Sequence, residues 1–90
     1  MKGLVVTKSP IRYGDTTDHG GSVISASTTL VIGGRACALR GDRVRCPEHG
    51  IVQIVEGDEG YTENGHPIAV HGCRTACGAR LLASTDELGV

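Results

Sequence analysis

The 90-residue sequence contains no Phe and no Trp, and Tyr13 and Tyr61 are its only aromatic residues. Large core side chains are therefore limited to Val, Ile and Leu, while 14 glycines raise the entropy cost of ordering the chain. A single domain of this size with so weak a core usually needs a disulfide or a metal to fold. Four cysteines and four histidines supply groups for either.

The sequence also lacks an excess of charge and any long apolar run. Nine basic and ten acidic residues give a net charge of −1, and the basic residues are scattered along the chain, which argues against a nucleic-acid or anionic-membrane surface. The apolar run from Gly3 to Val6 is too short for a signal peptide or a membrane span. We therefore expect synthesis in the cytosol, where thiols stay reduced and Cys/His patterns favour metal sites over disulfides.

An internal repeat organises the chain. Segments 34–46 and 65–77 align without a gap, and the identical pairs are Gly34/Gly65, Ala38/Ala69, Gly41/Gly72, Arg43/Arg74 and Cys46/Cys77. Residues 14–19 form a partial third copy, in which His19 takes the place of the cysteine. Each copy has a glycine turn followed, five positions later, by a potential metal ligand.

The remaining pattern favours short strands and tight turns. Val23-Ile24, Leu30 to Ile32 and Ile51 to Val55 are predicted strands, and Gly33-Gly34 and Asn64-Gly65 are typical of hairpin turns. No segment has helical periodicity over three turns, although Thr85 to Leu88 could form a terminal helical turn. The sequence predicts one all-β domain, residues 1–90, built from short strands and hairpins in three related units.

Three related units imply an approximate three-fold arrangement, which would bring His19, Cys46 and Cys77 together near a common axis. His49 lies three residues after Cys46, a spacing that lets both side chains reach one ion, and it completes a four-ligand set. Such a closed set is typical of one structural zinc, whose binding can supply most of the folding free energy of a small domain. His71 is kept as an alternative ligand, mainly in place of Cys46.

The other Cys and His residues have structural interpretations. Cys37 aligns with an isoleucine and is predicted to be a small buried side chain. Cys73 occupies the position held by Asp15 and Asp42, whose carboxylates would cap the turn, so its turn should be weaker. The spacing of Cys73 and Cys77 argues against dithiol catalysis, and a disulfide between them would compete with zinc. His66, beside a hairpin turn, is expected to be solvated.

Four stretches together resemble the PAAR domain, named for its proline-alanine-alanine-arginine repeat. They are Gly14-Asp-Thr-Thr-Asp-His-Gly-Gly, Ile32-Gly-Gly-Arg-Ala-Cys-Ala-Leu-Arg-Gly-Asp, Cys46-Pro-Glu-His-Gly and Asn64-Gly-His-Pro-Ile-Ala-Val-His-Gly-Cys-Arg-Thr-Ala-Cys-Gly. The resemblance covers about Val5 to Ala83 and leaves residues 84–90 as a C-terminal tail. The name-giving tetrapeptide and the last Gly-Asp, here Gly72-Cys73, depart from the family pattern, which leaves the zinc positions intact.

This resemblance implies a small conical β-fold with zinc near its tip, which caps the trimeric VgrG spike of the bacterial type VI secretion system. It implies a non-enzymatic tip, one per trimer, that sharpens the spike, pierces the target membrane rather than inserting into it, and helps to deliver a separate effector. We expect the protein in the bacterial cytoplasm before firing and outside afterwards, with no toxin in this chain. Docking candidates at the wide end are Leu30 to Ile32, Ile51 to Val55 and Leu81-Leu82.

Three other functions remain open. A zinc-binding interaction module for nucleic acid or protein would need basic and aromatic residues near the metal, and these are missing. A hydrolytic zinc centre would need an open coordination position and a carboxylate base, for which Glu48 is the candidate. The tip of a contractile phage tail, or of a related injection machine, would have the same sequence features.

Overall fold

The computed structural model describes residues 9–84, and every regular element in that range is a β-strand, which confirms the predicted all-β fold. The predicted helical turn at 85–88, the tail beyond Ser84 and the start of the predicted core at Val5 lie outside the described residues. No helix among residues 9–84 could cross a membrane. The strands are β1 (Thr16–Thr17), β2 (Ser22–Val23), β3 (Val31–Ile32), β4 (Arg35–Ala36), β5 (Arg43–Cys46), β6 (Gly50–Gln53), β7 (Asp58–Glu63), β8 (His66–Ile68) and β9 (Leu81–Leu82).

Three antiparallel hairpins form a closed ring of strands. The first hairpin is β1–β2, the second is β5–β6, and the third joins segment 74–76 to β9 through the Arg74–Arg80 bridge. Strand β2 pairs with β5, and β9 pairs with β1. The ring closes where the continuation of β6 meets the third hairpin, at the Ile54–Thr75 bridge and a 2.9 Å bond from the Val55 N–H to the Arg74 carbonyl.

Alternating burial along the strands gives the ring an inside and an outside. In β5, Val44 and Cys46 are buried while Arg43 and Arg45 are exposed, as the two-residue period of a strand requires. The largest apolar side chains that fill the interior are wholly or almost wholly buried: Ile11, Val23, Val44, Ile54 and Leu81. Burial of each of these side chains contributes about 1.5–3 kcal/mol to stability. Because these five are the largest apolar side chains of the interior, the core is small.

Each hairpin is preceded by a turn, and the three turns share one hydrogen-bond pattern. The turns span residues 12–15, 39–42 and 70–73, and the last residue of each donates its N–H to the carbonyl of the first at 3.0 Å. The third residue of each turn is a glycine with φ of 88°, 100° or 91°, a region that L side chains avoid. These glycines are the ones that define the sequence repeat: Gly14, Gly41 and Gly72.

The fourth residue of each turn also accepts a bond back from the first. The carboxylates of Asp15 and Asp42 accept the N–H of Arg12 and of Leu39 at 2.8 and 2.7 Å. The thiol of Cys73 accepts the equivalent bond at 3.5 Å. A cysteine sulfur at this distance is a weaker acceptor than a carboxylate, in line with the weaker third turn expected from the sequence.

Three backbone hydrogen bonds close a ring through the middle of the molecule. Ile11 donates its N–H to the Ala69 carbonyl, Ala69 donates to Ala38, and Ala38 donates back to Ile11, at 2.9, 2.9 and 2.8 Å. Each segment therefore gives one bond and receives one. A pseudo-three-fold relation between the copies stays a prediction, and this closed set of bonds is what supports it.

Two further hairpins, β3–β4 and β7–β8, project between the repeated units. Gly33 and Gly34 turn the first with φ of 61° and 84°, and Asn64 and Gly65 turn the second with φ of 54° and 83°. Both turns lie where the sequence predicts them, because two consecutive residues with positive φ match the twist of an antiparallel pair.

The predicted docking residues are only partly available. Leu81 pairs with Thr17 and is fully buried inside the ring, and Ile54 is buried as well, so the assignment of these two residues to a docking surface is wrong. Leu82 and Val31 are exposed. Ile51 is exposed as well. It pairs with Arg45, next to the Cys46–Gly50 pair, and therefore lies close to the turn of the β5–β6 hairpin.

Candidate metal centre

The turns of the three ring hairpins bring three predicted ligands together. His19 lies in the β1–β2 turn, Cys46 ends β5, and Cys77 lies in the turn before β9. Their ligand atoms, one from each residue, all lie within 4.8 Å of one another. Sequence separations of up to 58 residues are thus closed by the fold.

Equal path lengths place the three ligands at one level. The residues of the central hydrogen-bond ring, Ile11, Ala38 and Ala69, each precede a ligand by eight positions. Each copy runs from the ring through its glycine turn and one strand to its ligand. A ligand in one copy therefore reaches the same end of the molecule as the ligands in the others.

Threonine hydroxyls fix the turns that hold His19 and Cys77. The Thr17 Oγ1 accepts the N–H groups of His19 and Gly21 at 3.1 and 2.9 Å. The Thr75 Oγ1 lies 3.1 Å from the Cys77 Sγ and accepts the N–H of Ala79 at 3.2 Å. These bonds hold the turn backbone in place independently of any ion.

Cys46 is buried and predisposed to ionise. Burial of the sulfur opposes ionisation, but bonds from the backbone N–H of Glu48 and from the Cys77 side chain outweigh it and lower the pKa of the Cys46 thiol. The thiolate is the form of cysteine that binds metals. The local structure therefore favours the metal-binding form of this residue.

His49 lies beside the centre without belonging to the set of three. Its Nδ1 is 3.4 Å from the Cys46 Sγ, and its backbone N–H donates to the Cys46 carbonyl at 3.3 Å. The turn thus holds its ring against one ligand. Its role as fourth ligand stays a prediction.

The remaining Cys and His residues lie outside this cluster. His71 is exposed and its Nδ1 accepts the N–H of Ala83 at 3.0 Å, so its ring stabilises the chain just after β9. His66 is exposed on β8, as expected. Cys37 is fully buried, which confirms its predicted apolar role, and this burial raises the pKa of its thiol.

The chemistry of the three donors limits which ion they suit. One imidazole and two thiols are soft to borderline ligands, which bind zinc and related transition metals and do not suit magnesium or calcium. The space between the three donor atoms is bordered by the buried Cys46, the half-exposed His19 and the partly buried Cys77. The residues present therefore fit a small tetrahedral metal ion.

Arg12 is a buried charged residue whose burial was not predicted from the sequence. It is 8% exposed, donates to the Ile32 carbonyl and the Ser84 hydroxyl at 2.9 Å each, and its Nε has no partner among the described residues. Arg12 is the first residue of its turn, and the first residues of the other two turns, Leu39 and Val70, are buried. Extending the repeat backwards from Gly14 would have predicted its burial.

These observations define a small all-β protein with a His/Cys/Cys group, able to hold a metal, at one end of a closed ring of strands. The family model of the PAAR motif matches residues 13–83, and the chain belongs to that family. This motif is a structural, metal-binding tip domain of spike proteins in type VI secretion and related systems. No curated protein matches the chain.

Proposed function

We propose that this protein is the non-enzymatic tip of a type VI secretion spike and caps a trimeric VgrG-type protein, one chain per trimer. The central ring of hydrogen bonds among Ile11, Ala38 and Ala69 carries the proposal. A chain with three nearly equivalent sides can contact the three identical subunits of a trimer in nearly equivalent ways. Membership of the PAAR family supports the same role.

The tip is stabilised by one structural zinc ion. His19, Cys46 and Cys77 supply three ligands and His49 supplies the fourth, which closes the coordination shell. A zinc site of this kind contributes about 10–16 kcal/mol of apparent binding free energy in small domains, enough to offset the small core. Coordination bonds then fix the end of the molecule that meets resistance.

The docking face lies at the end opposite the metal centre. Tyr13 and Val31 are each more than half exposed, and both belong to segments that precede the ligand strands along the chain. Exposed apolar side chains of this size are suited to an interface core. Val31, on the β3–β4 hairpin, is our first candidate for a contact with the spike.

Effector delivery follows from this position. A cap at the front of the spike crosses the target envelope first, so an effector bound to the spike or to the cap travels with it. The protein is made in the bacterial cytoplasm and leaves with the spike on firing. The chain's own contribution is mechanical.

Metal content tests the zinc assignment. We expect about one zinc per chain in the wild type by elemental analysis, and loss of zinc with unfolding in His19→Ala and Cys46→Ser. His66→Ala is the matched control, because His66 is exposed and does not occupy the ligand position of the sequence repeat. Full occupancy in both ligand variants would contradict the assignment.

His49 needs a separate measurement. Cobalt substitution reports the number of thiolate and imidazole ligands through its absorption spectrum, and we expect His49→Ala to change the coordination number while the thiolate bands persist. An unchanged spectrum would assign the fourth position to another group.

Stoichiometry tests the cap. Native mass spectrometry of the protein mixed with a trimeric spike should give one chain per trimer, and three chains per trimer would refute the proposed geometry. Val31→Glu should weaken this complex, while Thr62→Glu, on the other projecting hairpin, serves as the matched control for added charge. Both variants should retain zinc.

A further inference from the structure

Four exposed arginines, distant in sequence, share one outer wall of the strand ring. Arg43 and Arg45 lie on β5, and Arg74 and Arg80 face each other on the third hairpin. Strand β6 and its continuation lie between the two pairs. We call this surface the arginine wall, and its members are all exposed: Arg43, Arg45, Ile51, Gln53, Val55, Arg74, Ala76 and Arg80.

The strand register makes the wall continuous. Gln53 is opposite Arg43 on one side, and its carbonyl accepts the Ala76 N–H at 2.8 Å on the other. Val55 then donates its N–H to the Arg74 carbonyl at 2.9 Å. No acidic residue occupies any of the eight outward positions.

In the part of the chain that the structure describes, the guanidinium groups of the wall form no ion pair with a carboxylate. Arg80 donates to the Gly72 carbonyl at 3.3 Å, and the carboxylates at the margins, Glu56 and Asp18, accept the backbone N–H groups of Arg74 and Arg80 at 2.9 Å each. Arg74 directly opposite Arg80 is an unfavourable cross-strand pair, so stability does not explain the arrangement.

Aliphatic side chains lie between the charges. Ile51 is 56% exposed and Val55 is 48% exposed, and both belong to the central strand of the wall. Guanidinium groups that flank exposed aliphatic side chains suit the boundary between lipid headgroups and acyl chains, where phosphate and hydrocarbon are both within reach. We propose that the arginine wall binds the surface of a membrane rich in anionic phospholipid.

The shape of the wall favours a lipid surface over a folded partner. It is the outside of a closed ring of strands and is therefore convex, whereas binding hot spots between proteins are side chains buried in pockets. A duplex nucleic acid is itself convex and would contact few of the eight positions. A headgroup layer deforms and can follow a convex wall.

The position of the wall connects it with the proposed function, on which this inference rests for its biological setting. Arg45 immediately precedes the ligand Cys46, and Ile51 is its cross-strand partner. The wall thus runs backward from the metal end, which on our proposal meets the target membrane first. Its lipid test needs no spike protein, so either proposal can fail while the other stands.

Vesicle sedimentation of the zinc-loaded full chain tests the inference. At low salt we expect binding to vesicles of equal parts phosphatidylcholine and phosphatidylglycerol, and none to phosphatidylcholine alone. Each arginine near an anionic surface is worth about fivefold in affinity, so Arg43→Gln with Arg74→Gln should weaken binding about 25-fold. Raising the salt toward ~0.15 M should also weaken it, because screening shortens the reach of the charges.

Arg40→Gln is the matched control. Arg40 is exposed but lines a cavity together with Glu56 and Asp58, outside the wall, so vesicle binding should not change. Should the double variant lose zinc or fold poorly, Ile51→Ser, which leaves the net charge unchanged, should still reduce binding several-fold. Equal binding to neutral vesicles, an equal effect of Arg40→Gln, or tighter binding to duplex DNA than to vesicles would each overturn the inference.

Discussion

The Asp42 turn allows the contribution of the repeat to stability to be measured directly. Its buried carboxylate accepts the N–H groups of Leu39 and Ser27 at 2.7 and 3.0 Å, and the hydroxyls of Ser27 and Ser25 at 3.0 and 3.2 Å. In Asp42→Ala the hydroxyls can rotate toward water, but the two N–H groups are held by the backbone. An unsatisfied buried N–H costs about 1–3 kcal/mol, and the N–H of the exposed Ser27 can be hydrated, so we expect a loss of about 2–3 kcal/mol.

Cys73→Ala provides the comparison, because Cys73 occupies the same position in the third turn. Its sulfur accepts the Val70 N–H at 3.5 Å, and we expect its removal to cost only about 1 kcal/mol. Urea unfolding followed by circular dichroism, with zinc saturating throughout, measures both variants. The free energy of unfolding of a domain of this size is about 5–15 kcal/mol, so the difference between the two variants is easily resolved. Equal losses in the two variants would refute the assignment of the aspartate as the stronger cap.

Three further substitutions test other parts of the structure. In Gly21→Ala the new Cβ would lie 2.3 Å from the Arg45 carbonyl oxygen, so we expect loss of zinc binding, whereas Gly41→Ala meets no atom and should cost about 1–2 kcal/mol for its positive φ alone. Thiol labelling of the buried Cys37 should be slow in the folded protein and fast in urea. Hydrogen bonds to Glu63 lower the pKa of its carboxyl, so the stability that Glu63→Gln removes should be present near neutral pH and vanish as the pH falls through that lowered pKa.

A specific outcome would contradict each of these three predictions. Normal zinc content in Gly21→Ala would mean that the β1–β2 turn does not position the ligand. Rapid labelling of Cys37 under native conditions would show that the interior opens readily. A difference between wild type and Glu63→Gln that grows in acid would reverse the sign expected from the hydrogen bonds.

The sequence predicted the features that depend on local spacing. A glycine followed five positions later by His or Cys identified the three residues whose donor atoms meet, because each copy follows the same path from turn to ligand. The Gly33-Gly34 and Asn64-Gly65 turns were predictable for the same reason, since positive φ at two consecutive positions restricts the residue types.

Features that depend on pairing between hairpins were not predictable. The pairing of Ile54 with Thr75 closes the ring and decides which side chains point outward. Without it, Leu81 cannot be recognised as interior, and Arg43 and Arg74 remain scattered charges instead of neighbours across β6. A shift of one residue in this register would turn every side chain to the opposite face, and short strands carry too little pattern to fix it.

The bond between Ile11 and Ala69 has a consequence for how the protein is made. Ile11 cannot complete its contacts until a segment nearly sixty residues later has left the ribosome, and β1 must wait longer still for β9. A nascent chain halted before that point has its first hairpin but neither its closing partner nor its third ligand. Such long-range closure makes folding slow, and it leaves strand edges and thiols of the unfinished chain exposed until the closing segments arrive.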